Sequence, residues 1–499
     1  MSVAAPAWAR HLPAGMDWRQ VDLLAGRSIP ALTTALADAA PGHPVVHDAE
    51  RGWVTRGELA DASARLAGRL DRAGVRAGDR VLCSAATSVS LVEAHLALLR
   101  IGAVVVPANT AYQEAELLHV VADSRPVAAI VDRDDAAGWM AQAESAPLVL
   151  SPRVDLPDGP PPRLDVAGPS DPAMICYTSG TTGRPKGAVL SHGNVLASAE
   201  AVRLAWRWTE LDRLVLALPL FHVHGLGVGL HGTLVAGGSA VLLPRFDADG
   251  VLDAVAEHQA TMFFGVPTMY ARLAASERVA GLGALRLCVS GSAPLPPELH
   301  ARILAGSAQV VLERYGMTET LMLVSNPYDG ERRAGTVGFP LPGVELALHD
   351  DGEIRVRGPN VFAGYWERPE ATAEAFDDGW FRTGDVGRIH DGYLSIVGRA
   401  KELIISGGFN VYPREVEDVL LTHPGVAEVA VIGLPSREWG ETVAAFVVPA
   451  AGPAPDPAEV IAYTRARLAH FKCPRHVRLV ESLPRNALGK ILRDQIVDS

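Results

Sequence analysis

Cysteine is scarce and scattered: four residues in 499 (Cys83, Cys176, Cys288, Cys473), with no CxxC pair and no His/Cys pairing. That spacing suggests neither a disulfide framework nor a zinc site, and makes a reducing cytoplasm the expected compartment. Long apolar runs are missing too. No segment reaches about 18 residues free of charges and breakers, so no membrane span is expected. The N-terminal MSVAAPAWARHLPAGMDW lacks a long apolar core with a cleavage site, so no signal peptide is expected. Positive charge is in deficit. Lys+Arg number 45 against 57 Asp+Glu, a net charge of −12, which argues against a general nucleic-acid surface but leaves room for local anion sites. No tandem repeat is evident.

What is present is globular. Hydrophobic residues make up 48% and charged residues 20%, and the length exceeds one compact core. From about Pro30 to Val149, strand-like and helical segments alternate. Residues 58–74 (ELADASARLAGRLDRAG) carry apolar positions at helical spacing and close on glycine. RVLCSA follows as a short buried strand, and SLVEAHLALLRIGAVVVPAN as a helix running into another strand. Repeated units of this kind imply a mostly parallel sheet flanked by helices. A Pro-rich connection over residues 151–172 leads to residues 177–187. After these, RLVLALP, SAVLLP, TMFFGVP and LRLCVSGSA read as four apolar strands with small or polar tails. Ligands of open α/β sheets sit at the carboxyl ends of strands, so those tails are the places to look. From about Gly335 the text shifts to strands and turns (GEIRVRG, GYLSIVGR, ELIISGG), and the last hundred residues form a small α+β unit of their own.

Residues 177–187 read YTSGTTGRPKG, with three glycines, five hydroxyl-bearing side chains, one arginine and one lysine. Such a run makes neither a good helix nor a core, because glycine weakens helices and unpaired hydroxyls and amides want polar partners. Glycines let backbone N–H groups approach phosphate, hydroxyls donate, and lysine neutralises charge, so the run reads as an anion-binding loop. It is not a Walker A loop, which needs Ser or Thr directly after a Gly-Lys pair. Here Lys186 follows Pro185 and precedes Gly187. Composition alone leaves the kind of anion open.

The longer stretch YTSGTTGRPKGAVLSHGNV resembles the signature of the adenylate-forming superfamily of acyl-CoA synthetases, aryl-CoA ligases, peptide-synthetase adenylation domains and luciferases. RYGMTET (314–320), GWFRTGD (379–385), GRAKELIISGGFNVYPREVE (398–417) and PRNALGK (484–490) resemble further motifs of that family, in its order. The resemblance implies an α/β fold. Residues 1–398 would form a large N-terminal domain of flanked, mostly parallel sheets with a β-rich subdomain. Residues 399–499 would form a small, mobile α+β C-terminal domain hinged near Lys401. It also implies an ATP-dependent acid–thiol ligase. A carboxylate attacks the α-phosphate of ATP, pyrophosphate leaves, and the thiol of CoA then displaces AMP. Both reactants of the first step are anions, so the site must supply cations, amide donors and Mg2+.

By the same resemblance, Thr178, Ser179, Gly180, Thr181, Thr182, Gly183 and Lys186 cradle the β- and γ-phosphates. Thr318 supplies a phosphate-contacting hydroxyl and Glu319 a carboxylate for Mg2+. Ser292, Ala293 and Pro294, with Tyr315, Gly316 and Met317, wall the adenine. Asp385 accepts the ribose hydroxyls, a natural use of two carboxylate oxygens, and Arg399 adds a ribose or phosphate contact. Lys490, by composition a solvated lysine on a Pro/Asn/Gly tail, bridges the attacking carboxylate and the α-phosphate. Lys401 is the hinge position, and Ser406, Gly407, Gly408 and Phe409 line the thiol tunnel in a second pose.

PLFHVHGL (219–226) sets two histidines two residues apart. If extended they share a face, but two ligands without a third make a weak metal site. The resemblance makes His222 a wall of the acyl pocket, with His224 readable as a histidine at a helix start. FHVHGL, GVPTMYARL, SGSAPL and ERYGMTETLM are most similar to malonyl- and methylmalonyl-CoA synthetases, and also resemble 4-coumarate and fatty acyl-CoA ligases. A second carboxylate on the acid would need a buried cation, for which arginine is the better fork. Arg272 and Arg286 are the candidates, each also readable as structural, with Met322 a further acyl-pocket residue. The expected partners are a small carboxylic acid, ATP and CoA, with no nucleic acid; the family also implies a lysine acetyltransferase acting on Lys490. Only nine residues follow Lys490, which favours free CoA. A ligase for a secondary-metabolite acid, an adenylation enzyme loading a separate carrier protein and a relative that has lost one half-reaction are the alternatives. A nucleotide-binding regulator with degenerate chemistry would show damage at Glu319, Asp385 or Lys490, and all three are intact.

Overall fold

The computed structural model describes residues 5–160, 162–178, 185–406, 409–436, 439–486 and 489–496. The chain divides into two compact units, Met1–Glu345 with Val356–Phe381, and Leu346–Arg355 with Arg382–Ser499.

The first unit is built on runs without alternation. VVVP (Val104–Pro107), AAIV (Ala128–Val131), SAVL (Ser239–Leu242), MFFG (Met262–Gly265) and LCVS (Leu287–Ser290) are each buried along their whole length, as strands covered on both faces are. They fall into two sheets. A nine-stranded sheet runs in the order Phe339–Pro340, Val324–Ser325, Leu312–Tyr315, Leu287–Ser290, Met262–Gly265, Arg213–Leu216, Ser239–Leu242, Pro44–Asp48, Gly52–Thr55. Its five strands from Leu312–Tyr315 to Ser239–Leu242 are mutually parallel. Their carboxyl ends therefore share one edge, and the four strands expected after the loop are all among them.

A seven-stranded sheet runs Gly364–Tyr365, Lys186–Ser191, Pro172–Thr178, Val104–Pro107, Arg80–Ser84, Ala128–Val131, Leu148–Leu150. Its strands Pro172–Thr178 and Lys186–Ser191 pair antiparallel, with Tyr177 opposite Gly187 and Thr178 opposite Lys186. The helix expected from Glu58 begins earlier, at Arg56, because Thr55 caps it. Thr55 Oγ1 accepts from the Glu58 N–H at 3.3 Å, and the Glu58 carboxylate accepts from the Thr55 N–H at 2.8 Å.

The histidine segment is not extended. His224–Leu230 is a wide-turn π-helix that continues into the α-helix His231–Ala236, with the Leu226 N–H on His222 O and the Val228 N–H on Val223 O. Glycine makes this possible, since a Cβ at Gly225 would lie 2.2 Å from the Pro219 carbonyl oxygen.

In the second unit, the helix Pro413–Leu420 packs Val416 and Leu420 into one core with Val429, Val431, Val443, Ala445 and Val447. Those last five belong to the long antiparallel pair Val426–Ser436 and Gly440–Pro449, the two C-terminal strands expected from the sequence. The strand ending at His390 pairs antiparallel with Tyr393–Arg399, which sets Asp385 opposite Arg399. Lys401 lies in the short turn Ala400–Glu402, inside this unit. Among the described residues no helix is long and apolar enough to cross a membrane.

Candidate active site

The edge expected to take phosphate is framed by the facing ends of the two strands Pro172–Thr178 and Lys186–Ser191, the stems on either side of residues 179–184. Thr178 pairs with Lys186 across the ladder, and its hydroxyl lies 3.4 Å from the Lys186 carbonyl oxygen. Ser179, Gly180, Thr181, Thr182 and Gly183 lie outside the described residues. Both stems are tied to one helix, Glu114–Ser124. The Tyr177 hydroxyl donates to Asp123 at 2.7 Å, and His119 Nε2 donates to the Pro185 carbonyl oxygen at 3.2 Å. Burial, and then the Asp123 carboxylate, hold the Tyr177 phenol protonated far above its ordinary range.

Residues 316–322 fold back as a tight turn after the strand Leu312–Tyr315. Leu321 takes φ +55°, the Leu323 N–H returns to Tyr315 O, and Asn360 Nδ2 donates to Thr320 O and Met322 O at 2.8 and 2.9 Å. Gly316 is required by this turn, because a Cβ there would sit 2.0 Å from the Leu321 carbonyl oxygen. Met317 and Thr318 are left half-buried, while Glu319 and Met322 are buried. The Tyr365 hydroxyl donates to Glu319 Oε1 at 3.0 Å, and the Lys186 ammonium stands 5.4 Å from the centroid of the same Tyr365 ring. Glu319, Lys186 and Thr178, expected to serve phosphate and metal, thus stand at the ends of neighbouring elements. A buried carboxylate is the hard oxygen donor that Mg2+ takes, and Mg2+ completes its octahedron with waters and phosphate oxygens rather than a protein cage. Among the described residues no group of three His, Cys, Asp or Glu side chains could hold a metal by itself.

Residues expected at the acyl pocket lie near the carboxyl ends of Leu287–Ser290 and Leu312–Tyr315. His224 Nδ1 shares a hydrogen bond of 3.1 Å with Ser292 Oγ, and the His224 N–H reaches His222 Nδ1 at 3.2 Å. Ser292 takes φ +68° and, with Ala293, is half-buried, while Pro294 is exposed. The Glu313 carboxylate holds this loop by accepting from the Leu295 N–H at 3.0 Å. Burial, and then the nearby Arg314, lower the His222 pKa to about 4 and that of His224 well below its ordinary value. Both rings are neutral at pH 7.

Arg314 is the residue that sequence reasoning passed over. It is 3% exposed, burial lowers its pKa to about 9, and its Nε and Nη2 have no hydrogen-bond partner among the described residues. Gly291 leaves it room, since a Cβ there would lie 2.3 Å from the Arg314 Cζ. The signal was available. Arg314 is a charge one position before the end of a buried strand, where an unpaired cation is costly.

Of the two arginines singled out earlier, Arg286 is already paired. Arg286 precedes the strand Leu287–Ser290, at the end opposite Gly291. It grips Asp212 through Nε and Nη2 at 2.6 Å each, and donates to the carbonyls of Trp206 and Arg207. Arg272 is exposed in the last turn of the helix Pro267–Ala275.

The second unit gathers the remaining charges. Arg399 Nε lies 3.0 Å from Asp385 Oδ1, with Asp385 buried. Lys490 is held by a turn in which its N–H donates to Asn486 Oδ1 at 3.0 Å and its carbonyl accepts from the Asn486 N–H at 2.9 Å. Burial, then the field of Arg399, lowers the Lys490 pKa, while Glu402 and Asp385 oppose the drop. Asp385, Arg399 and Lys490 are therefore brought together. Lys401 is exposed, Ser406 is buried, and the exposed Phe409 stacks on Phe471 at 4.5 Å. Gly407 and Gly408 lie outside the described residues.

Residues 34–366 match the AMP-binding enzyme family, and residues 415–490 its C-terminal domain. A feruloyl-CoA synthase of Amycolatopsis sp is 41% identical over 89% of this chain and 93% of its own. The ATP-bound MatB of Rhodopseudomonas palustris superposes with a TM-score of 0.89 at 41% identity, covering 94% of this chain and 98% of that one. A malonyl-CoA ligase solved with methylmalonyl-CoA and AMP matches at 43% identity and a TM-score of 0.66, over 90% of this chain and 98% of its own. The o-succinylbenzoate CoA synthetase of Bacillus subtilis, solved with ATP and a magnesium ion, matches at 32% identity and a TM-score of 0.84 over 94% of this chain and 99% of its own. ATP, Mg2+ and CoA are the cofactor and co-substrates of this kind of enzyme. The chain belongs to the AMP-binding enzyme family and is an acyl-CoA synthetase, an acid–thiol ligase that forms acyl-CoA and AMP.

Proposed function

We propose that the acid activated is a short dicarboxylate of the malonate class, with its remote carboxylate seated on Arg314. The observation that carries this is the buried guanidinium with two nitrogens unpaired among the described residues. A monocarboxylate such as ferulate leaves that cation uncompensated in an apolar site, whereas a second carboxylate pairs with it in the fork geometry arginine favours. The malonyl-CoA ligase among the solved relatives, at 43% identity, supports the reading, and the feruloyl-CoA synthase, at 41%, is its competitor.

In the reaction, one carboxylate oxygen attacks the α-phosphorus of ATP and the bond to pyrophosphate breaks. The thiol of CoA then attacks the acyl carbonyl and AMP leaves. Thr178, Lys186, Thr318 and Glu319 serve the departing pyrophosphate and its Mg2+, which when bound neutralises phosphate charge. Ser292, Ala293, Pro294 and Tyr315 wall the adenine. Asp385 and Arg399 take the ribose, and Lys490 steadies the attacking carboxylate. Residues 1–398 and 399–499 act as separate domains hinged near Lys401, with Ser406 and Phe409 at the thiol path. The four cysteines, all free and buried, support a reducing cytoplasm as the compartment. Acetylation of Lys490 by a lysine acetyltransferase would remove the charge the first step uses.

The test is a panel of malonate, methylmalonate, propionate, butyrate and ferulate with ATP, Mg2+ and CoA, read as acyl-CoA formed. Malonate or methylmalonate should give the highest kcat/KM. A preference for ferulate or for the monocarboxylates refutes the assignment.

A further inference from the structure

We propose that Tyr365 is a positioning residue that holds the Glu319 carboxylate and the Lys186 ammonium in one arrangement, so that Mg2+ and the leaving pyrophosphate meet a preformed pair of opposite charges. The proposal rests on reading Glu319 as the Mg2+ carboxylate.

Tyr365 is unusually constrained for a residue on a two-residue strand. Gly364 and Tyr365 pair antiparallel with Val189 and Ala188, and the Trp366 N–H donates to Gly187 O at 2.8 Å. This ties Tyr365 to the strand that begins at Lys186. On the other side the Tyr365 N–H donates to Thr372 Oγ1 at 2.9 Å, and Trp366 Nε1 donates to Asp123 O at 3.3 Å. Gly364 sits at φ +153°, and a Cβ there would lie 2.5 Å from the Thr372 methyl, so the strand is pressed against the helix Pro369–Ala375. Phe362 meets the Tyr365 ring edge-on at 4.9 Å, while its own N–H donates to Glu319 O at 2.8 Å. One short segment thereby holds both the backbone and the side chain of Glu319.

Two polar contacts of different kind meet at the held ring. Its hydroxyl donates to Glu319 Oε1 at 3.0 Å, and its face carries Lys186 Nζ at 5.4 Å. A cation over the ring draws density from the phenol and strengthens its O–H as a donor, while the carboxylate at the far end strengthens the ring's hold on the cation. Without the phenol the carboxylate loses this restraint on its last torsions, and its pairing with the ion is less tightly set before ATP arrives.

Two substitutions separate these contacts. Tyr365→Phe keeps the ring face and removes the donor; Tyr365→Leu removes both. The measurement is calorimetric binding of α,β-methylene-ATP, which cannot be adenylated, across a Mg2+ series, together with the Mg2+ dependence of ATP–pyrophosphate exchange. Tyr365→Phe should raise the Mg2+ needed for half-maximal binding about tenfold, with affinity at saturating Mg2+ within about threefold of the parent. Melting temperature should be unchanged. Tyr365→Leu should also weaken binding at saturating Mg2+. An equal loss at every Mg2+ concentration, with a lowered melting temperature, overturns the proposal by making Tyr365 a packing residue. Glu319→Gln separates the two failures. If it leaves the Mg2+ dependence unchanged, the reading of Glu319 falls and takes the proposal with it. If it shifts that dependence and Tyr365→Phe does not, the tyrosine proposal alone is refuted.

Discussion

Replacing Arg314 by methionine should make the protein more stable and a worse malonate ligase at once. Burial takes its guanidinium from 12.5 to about 9, which at about 1.36 kcal/mol per pKa unit is on the order of 5 kcal/mol held against the charged form. Methionine fills the space of the aliphatic stem without a charge, so part of that cost is recovered. If half is recovered, melting should rise by roughly 3 °C or more. Losing the partner of a desolvated carboxylate costs about 2–5 kcal/mol, so kcat/KM for malonate should fall between about 30-fold and a few thousand-fold. Butyrate and propionate, with nothing to pair, should be unaffected or improved. Gly291→Ala is a second arm that keeps the cation but displaces it, because the new Cβ would lie 2.3 Å from the Arg314 Cζ. It should show the same selective loss. The assay is differential scanning fluorimetry beside acyl-CoA formation on the acid series. A fall in melting temperature with equal loss for every acid would make Arg314 a structural cation and refute the reasoning.

Arg286→Met gives the opposite pattern, because it strips the buried Asp212 of its fork. Stability should fall by about 3–5 kcal/mol by denaturant titration, with the ranking of acids unchanged. Lys490→Ala should lower ATP–pyrophosphate exchange at least about a hundredfold while thioester formation from supplied acyl-adenylate continues; equal loss of both would remove Lys490 from the first step alone. His11, His95 and His192 are buried, and that burial lowers each pKa from 6.5 to about 4. The unfolded chain therefore binds more protons between those values. Each histidine contributes up to about 3 kcal/mol that is fully present above pH 6.5 and lost as pH falls towards 4. Urea midpoints should drop steeply across that window, and His95→Gln should reduce the slope by up to one proton; an unchanged slope would show that His95 does not titrate there.

Much of the frame was legible because burial on both faces writes itself as uninterrupted apolar text. RLVL, SAVL, MFFG and LCVS needed no partner to be read as strands, and their polar tails do fall on one shared edge. Residues 177–187 read as an anion loop by composition, because few other uses suit glycine and hydroxyls at that density. Helix starts were less legible, since Thr55 and Glu58 form their cap only once the chain turns. The segment from His222 to His224 was misleading if taken as extended, because alternate glycines press a π-helix against the sheet.

Arg286 and Arg314 show where the sequence stopped. Each flanks or ends an apolar strand, and in the text they look alike. The sequence by itself determined that this chain binds ATP and activates an acid, because that chemistry needs particular groups at particular places in particular motifs. Only the tertiary structure decided which arginine is spoken for. Asp212, 74 positions before Arg286, folds back to neutralise it, while Arg314 is closed in beside Gly291 and two neutral histidines. A charge's partner is set by distance in space, and separation along the chain does not reveal it.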